Sequence, residues 1–225
     1  MKCTTMLIGS VAVLVAAMQG ASLPCGPVLL PDLNLGFVSG SKPDYCSKGS
    51  KGAPASECAT NRDAVISIDA AIKKYKVARR GEIVAIVAWM MYESDGWKYS
   101  INRVPGVPGQ GTRCMMQWPY VHEYAKLLHP EEFAKLIGTS ASNPESAPDD
   151  VKKSILELVL SNNDSFGAGF WFLANKSPTY FNKTTKLRDG NLEDFKDYIT
   201  NYIKGTWDSG RDTIWHAMNS TLKLV

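Results

Sequence analysis

Apolar and polar positions alternate along this chain with mostly helical periods. Val65, Ile68, Ile72 and Tyr75 recur at spacings of 3, 4 and 3, which predicts a helix with one apolar face. From Gly81 to about Glu93 the run EIVAIVAWMMY is apolar nearly all round, so this segment is expected to be the buried central helix. Shorter helices are predicted over Pro119 to Leu128 and Glu131 to Ile137. Another, capped by Asp149 or Asp150, runs to Leu160. SFGAGFWFLA (Ser165 to Ala174) reads as a second apolar helix. Asn191 is expected to cap a helix carrying Phe195, Tyr198, Ile199, Tyr202 and Ile203. Ser209, with Asp212 three residues on, opens the last, which carries Trp215, Met218 and Leu222. Between the helices at 93 and 119 lies a loop containing PGVPG, and no internal repeat appears.

The first residues follow a different pattern. Lys2 precedes an apolar stretch from Met6 to Met18, and small residues follow at Ala16, Ala17, Gly20, Ala21 and Ser22. This is the layout of a secretory signal peptide over residues 1–22, and the stretch falls short of the ~20 apolar residues a membrane span needs. Residues 23–59, rich in Pro, Gly, Ser and Lys, read as an irregular arm, and 60–225 as one mainly helical domain. The 225-residue length suits a single domain.

Secretion changes how the cysteines are read. Without Cys3, the remaining Cys25, Cys46, Cys58 and Cys114 form an even set, expected to make two disulfides in one of three pairings. The rival reading is a catalytic thiol at Cys114 served by His122. Sequons at Asn163, Asn175, Asn182 and Asn219 are candidate glycosylation sites. The formal charge of +3 is too small for a dedicated nucleic-acid-binding protein. With 44% hydrophobic residues and six Trp the chain has the means to fold. Its three His, without an H-E-x-x-H pair, suggest no catalytic zinc, and no cofactor is expected.

The sharpest chemical feature is Glu93, which follows Ala88-Trp89-Met90-Met91-Tyr92 at the end of the apolar helix. A carboxyl in apolar surroundings is held in its protonated form, the state that gives a proton to a glycosidic oxygen. The bland reading is a surface Glu at a helix end.

Glu93-Ser94-Asp95-Gly96-Trp97-Lys98-Tyr99, then Asn102, resembles the E-S-x-x-x-K-Y-x-x-N of secreted fungal lysozyme-like proteins. Pro108-Gly109-Gln110-Gly111-Thr112-Arg113 resembles their P-G-Q-G-T-R. The lysozyme superfamily, lytic transglycosylases and family 19 chitinases show a similar order: a catalytic helix end, then a Gly-rich turn with Gln, here Gln117. Phe166 to Leu173, and Tyr198 to Gly205 followed by Arg211, are similar to further chitinase segments. The resemblance implies a lysozyme-like fold with a small irregular or β segment beside the cleft, to which the arm, holding three of the four cysteines, is expected to be stapled by disulfide. It implies Glu93 as general acid and Gln117 in the cleft, hydrogen-bonded to substrate. Tyr99, Asn102 and Tyr120 are candidate sugar contacts because rings and amides suit sugar faces and hydroxyls, the alternative being core or loop packing. Arg113 is expected to hold a carboxylate or to be a solvated loop residue.

Two departures stand out. Lys204 replaces the chitinase Asn, and Asp95 is the sole other acid between Glu93 and Gln117. On a continuing helix Asp95 would point about 200° away from Glu93. Paired-carboxylate chemistry needs ~5–5.5 Å for retention or ~6.5–9.5 Å for inversion. Asp95 is therefore the expected second group only if the helix stops at Glu93. The readings that follow are a secreted, monomeric muramidase acting on peptidoglycan, a chitinase-like hydrolase or lytic transglycosylase, and a non-catalytic wall-binding or effector protein. None involves nucleic acid or membrane.

Overall fold

The computed structural model describes residue 46 and residues 53–138, 143–181 and 187–222. The signal-peptide segment, most of the arm, Cys25 and Asn182 lie outside the described residues. Eight α-helices appear among those described. They are α1 (Asn61–Tyr75), α2 (Arg80–Glu93), α3 (Trp118–Leu128), α4 (Pro130–Ile137), α5 (Asp149–Glu157), α6 (Asn162–Lys176), α7 (Leu192–Asp197) and α8 (Ser209–Thr221). The mainly helical class is thus observed. Among the described residues the expected β segment is reduced to two isolated antiparallel bridges, Ile101 with Gly111 and Gly111 with Met116.

Local chemistry sets the helix ends. Thr60 closes α1 with a reciprocal capping box to Asp63, and Ser161 caps α6 by accepting from the Asp164 amide. Asn191 caps α7 as expected, with its side chain accepting from Glu193 N. The α8 cap is Asp208 rather than Ser209, and Pro148 precedes α5, leaving Asp149 and Asp150 in its first turn. There the two acids still face the positive end of the helix dipole. Helix α5 ends at Glu157, short of Leu160. The run after α7 continues as a π-helical turn, Tyr198–Tyr202.

Helix α2 is the core. Every residue from Gly81 to Met91 is buried, which its all-round apolar sequence requires. It packs between α6 and α8, α1 lies along α6, and α3, α4 and α5 form a second group. Gly169 permits the α2–α6 approach: a Cβ there would meet Ile86 Cγ2 at 2.9 Å and Met90 Sδ at 3.0 Å.

A disulfide joins Cys46 to Cys58. The expectation that Cys114 shares a second disulfide is corrected: it is a free, buried thiol. It packs in the core at 2% exposure, its Sγ 3.4 Å from Thr112 Oγ1, and no described cysteine reaches it. Of the described sequons, Asn163 and Asn175 are exposed, while Asn219 is half-buried and bonds Arg80 through Oδ1. Among the described residues no helix is long and apolar enough to cross a membrane.

Candidate active site

Glu93 is fixed by the way α2 stops. Ser94 Oγ donates to Met90 O at 2.7 Å and accepts from Trp97 N at 3.0 Å, while Gly96 N bonds Met91 O at 2.9 Å. Asp95, Gly96 and Trp97 then adopt successive positive φ values of 48°, 68° and 75°, which reverse the chain. The reversal holds because Trp97 is anchored: its ring packs edge-on to Phe166, and its Nε1 donates to Asn61 Oδ1 at 3.1 Å.

Glu93 does not sit in the apolar pocket that its preceding residues suggested. Its side chain is 23% exposed, and Arg211 Nη2 donates to its Oε1 at 2.6 Å. Arg211, 5% exposed, lies behind it. Its Nε donates to Thr206 O at 2.8 Å and its guanidinium carbon lies 3.8 Å from the Tyr92 ring centroid. The Tyr92 hydroxyl donates to Asp208, whose other oxygen accepts from Arg211 N. That bond, above all, raises the Tyr92 pKa and lowers that of Asp208. The carboxyl of Glu93 is therefore oriented by a cation that is itself clamped from two sides.

Two cavities of about 290 and 270 Å³ meet at Glu93, Gln110 and Met115, which line both. The first is also lined by Tyr99 and Asn102, the second by Gln117, Tyr120, Trp89, Tyr202 and Lys204. The four residues expected to contact sugar thus lie on one continuous cleft with Glu93. Asp95 does not. The helix does end at Glu93, yet the left-handed turn aims the Asp95 side chain outward. There it is 51% exposed and 3.0 Å from Lys98 Nζ, and it lines neither cavity. Among the described residues Glu93 is the one carboxylate on either cavity wall.

Arg113 is neither solvated nor free to take a substrate carboxylate. At 2% exposure, it donates to the carbonyls of Trp97 (2.8 Å), Tyr99 (3.0 Å) and Glu57 (2.8 Å) and lies over Phe166. It ties the arm to the cleft wall. Cys114 and His122 do not form a catalytic pair. Burial pushes the Cys114 thiol up to about 12, leaving it protonated. His122 packs between the rings of Trp118 and Phe133 and lines neither cavity.

Sequence reasoning missed Gln110 and Glu57. The Gln110 side chain is locked on both sides: Oε1 accepts from Asn102 Nδ2 at 2.6 Å and Nε2 donates to Met115 O at 3.0 Å. Its place in the P-G-Q-G-T-R segment was the available signal. Glu57, buried in the arm, accepts from Ser100 N (2.7 Å), Ile101 N (2.9 Å) and Arg103 Nε (2.9 Å), so the arm holds the cleft floor. No group of three or more His, Cys, Asp or Glu suited to a metal occurs among the described residues.

The chain matches no family model and no solved structure. It is 37% identical over 92 residues to a bifunctional dioxygenase–epoxy alcohol synthase of Fusarium oxysporum (strain Fo5176). That match covers 41% of this chain and 7% of the Fusarium protein's length.

Proposed function

We propose that this protein is a secreted, monomeric glycosidase. It cleaves the β-1,4 bond between N-acetylmuramic acid and N-acetylglucosamine in bacterial peptidoglycan, with Glu93 as general acid and no cofactor. The observation that carries this reading is the position of Glu93 at the waist between two cavities, with a cavity on each side for a sugar ring. Tyr99 and Asn102 on one side, and Gln117 and Tyr120 on the other, offer rings and amides to sugar faces and hydroxyls. Glu93 gives its proton to the bridging oxygen as the C1–O bond breaks, and an oxocarbenium-like centre develops at C1. Arg211 remains as the partner of the carboxylate left behind. The activity named for the Fusarium protein is not carried over, because the match spans so little of that protein.

How C1 is captured separates two variants of this reading. Water capture gives hydrolysis and a reducing end. The lack of a second carboxylate on the described cleft walls favours the alternative, in which a hydroxyl of the same muramyl residue attacks C1. Its proton returns to Glu93, and an anhydro-sugar forms, as in lytic transglycosylases. Digestion of purified peptidoglycan beside colloidal chitin, with mass spectrometry of the soluble products, tests both points. Disaccharide-peptides from peptidoglycan support the assignment, and fragments lighter by one water identify the transglycosylase route. Release from chitin alone moves the substrate, and no product from either polymer leaves the wall-binding reading.

A further inference from the structure

A third cavity, about 650 Å³, opens beyond the cleft and shares Ile101, Asn102 and Arg103 with the first. Its volume is more than twice that of either cleft cavity, and its walls differ in chemistry. The loop after Asn102 forms one wall with Val107 and Pro108, and α5 forms the other with Lys153, Leu156 and Glu157. The loop is pre-formed: Gly106 N donates to Asn102 Oδ1 at 3.3 Å and Gln110 N to Val107 O at 3.1 Å. Asn102 is the partition between the cavities, since the same side chain also donates to Gln110 at the waist.

Lys153 and Glu157 are both exposed, and among the described residues neither forms an ion pair. They stand four apart on α5 with Lys first, the weaker order for a helical pair. The other cation on the wall, Arg103, is held by Glu57, so Lys153 and Glu157 are the cation and anion left to a ligand. Over the apolar Leu156 and beside the 43%-exposed Val107, they suit a short peptide bearing a free carboxylate, a free amine and small apolar side chains. A strand stripped of peptide keeps only the lactyl carboxylates of its muramyl residues and offers neither an amine nor an apolar side chain.

We infer that this third cavity is a binding site for the peptide arm that branches from the glycan strand. The site lets the enzyme recognise peptide-bearing strands beside the bond it cuts. Lys153 pairs with a peptide carboxylate, Glu157 with a peptide amine, and the loop carrying Val107 and Pro108 covers the backbone. The inference rests on the glycosidase reading above and names what that site selects.

The test compares intact peptidoglycan with strands from the same wall stripped of peptide by an amidase. Wild type and the Lys153→Ala/Glu157→Ala double variant are assayed in parallel, after their melting temperatures are shown to agree. Wild type is expected to cut peptide-bearing strands with about tenfold higher kcat/KM, the contribution of one charge-assisted hydrogen bond. In the double variant that ratio falls toward one. Equal rates on both polymers by wild type, or a ratio the double variant retains, overturn the peptide site while leaving the glycosidase intact. A wild type that cuts neither polymer overturns the glycosidase reading and the peptide site with it.

Discussion

Replacing Arg211 with Met tests the architecture around Glu93. Met keeps about the length of the aliphatic stem, so the loss is confined to the guanidinium and its contacts. A hydrogen bond between charged groups contributes about 1.5–3 kcal/mol, and the 2.6 Å contact to Glu93 is of this type. The bond to Thr206 O adds about 1 kcal/mol, and the cation over Tyr92 about 0.5–2 kcal/mol. Two effects reduce the total. Glu93 is 23% exposed, so water rehydrates it once its partner is gone. Arg211 Nη1 is buried without a partner among the described residues, and its desolvation cost disappears with the substitution. The net expectation is a loss of about 2–4 kcal/mol, or roughly 5–15 °C in Tm for a domain of this size. Calorimetry at neutral pH reads it directly. A double-mutant cycle with Glu93→Gln should show coupling of about 1–2 kcal/mol. A Tm within 2 °C of wild type, or strict additivity in the cycle, would refute the clamp.

Other expectations concern single groups. Asp95→Asn should change the rate on bacterial walls less than about twofold, because Asp95 lines neither cleft cavity, its pair with Lys98 is exposed and Asn tolerates the left-handed turn. A loss of several hundredfold would bring Asp95 into the chemistry. Burial, with Lys126 beside it, lowers the His122 pKa against the opposing pull of Glu123 and Glu145, so the unfolded chain binds its proton more readily. Its contribution to stability is therefore full above the ordinary histidine range near 6.5 and declines as the pH falls through it. The Tm difference between pH 7.5 and pH 5 should be smaller in His122→Phe than in wild type, and an unchanged difference would contradict this. Cys114 should resist iodoacetamide at pH 8 in the native protein and react once unfolded, as peptide mapping would show.

Periodicity made the scaffold legible in the sequence. The all-round apolar run of α2 announced a central helix and placed Glu93 at its end, and Asn191 and the apolar α6 segment read correctly. What escaped depends on approach through space. Arg211 is 118 residues from Glu93, so no local pattern pairs them. Glu57 sits in a stretch with no helical period, yet it supports the backbone at Ser100 and Ile101. The direction of Asp95 is decided by three consecutive left-handed residues, and Trp97 among them carries no sequence signal for that conformation. Counting cysteines assumes that an even set pairs completely. Burial of Cys114 in the core breaks that assumption.

The central claim is that Glu93 is the proton donor of a wall-cleaving enzyme. It is tested most directly by clearing of a bacterial-wall suspension with wild type and Glu93→Gln, alongside the melting curve of each. The account predicts that wild type clears the suspension and that Glu93→Gln is at least about a thousandfold slower while still folded, since the amide keeps the shape but cannot donate the proton. A folded Glu93→Gln protein that clears the suspension as fast as wild type would contradict it.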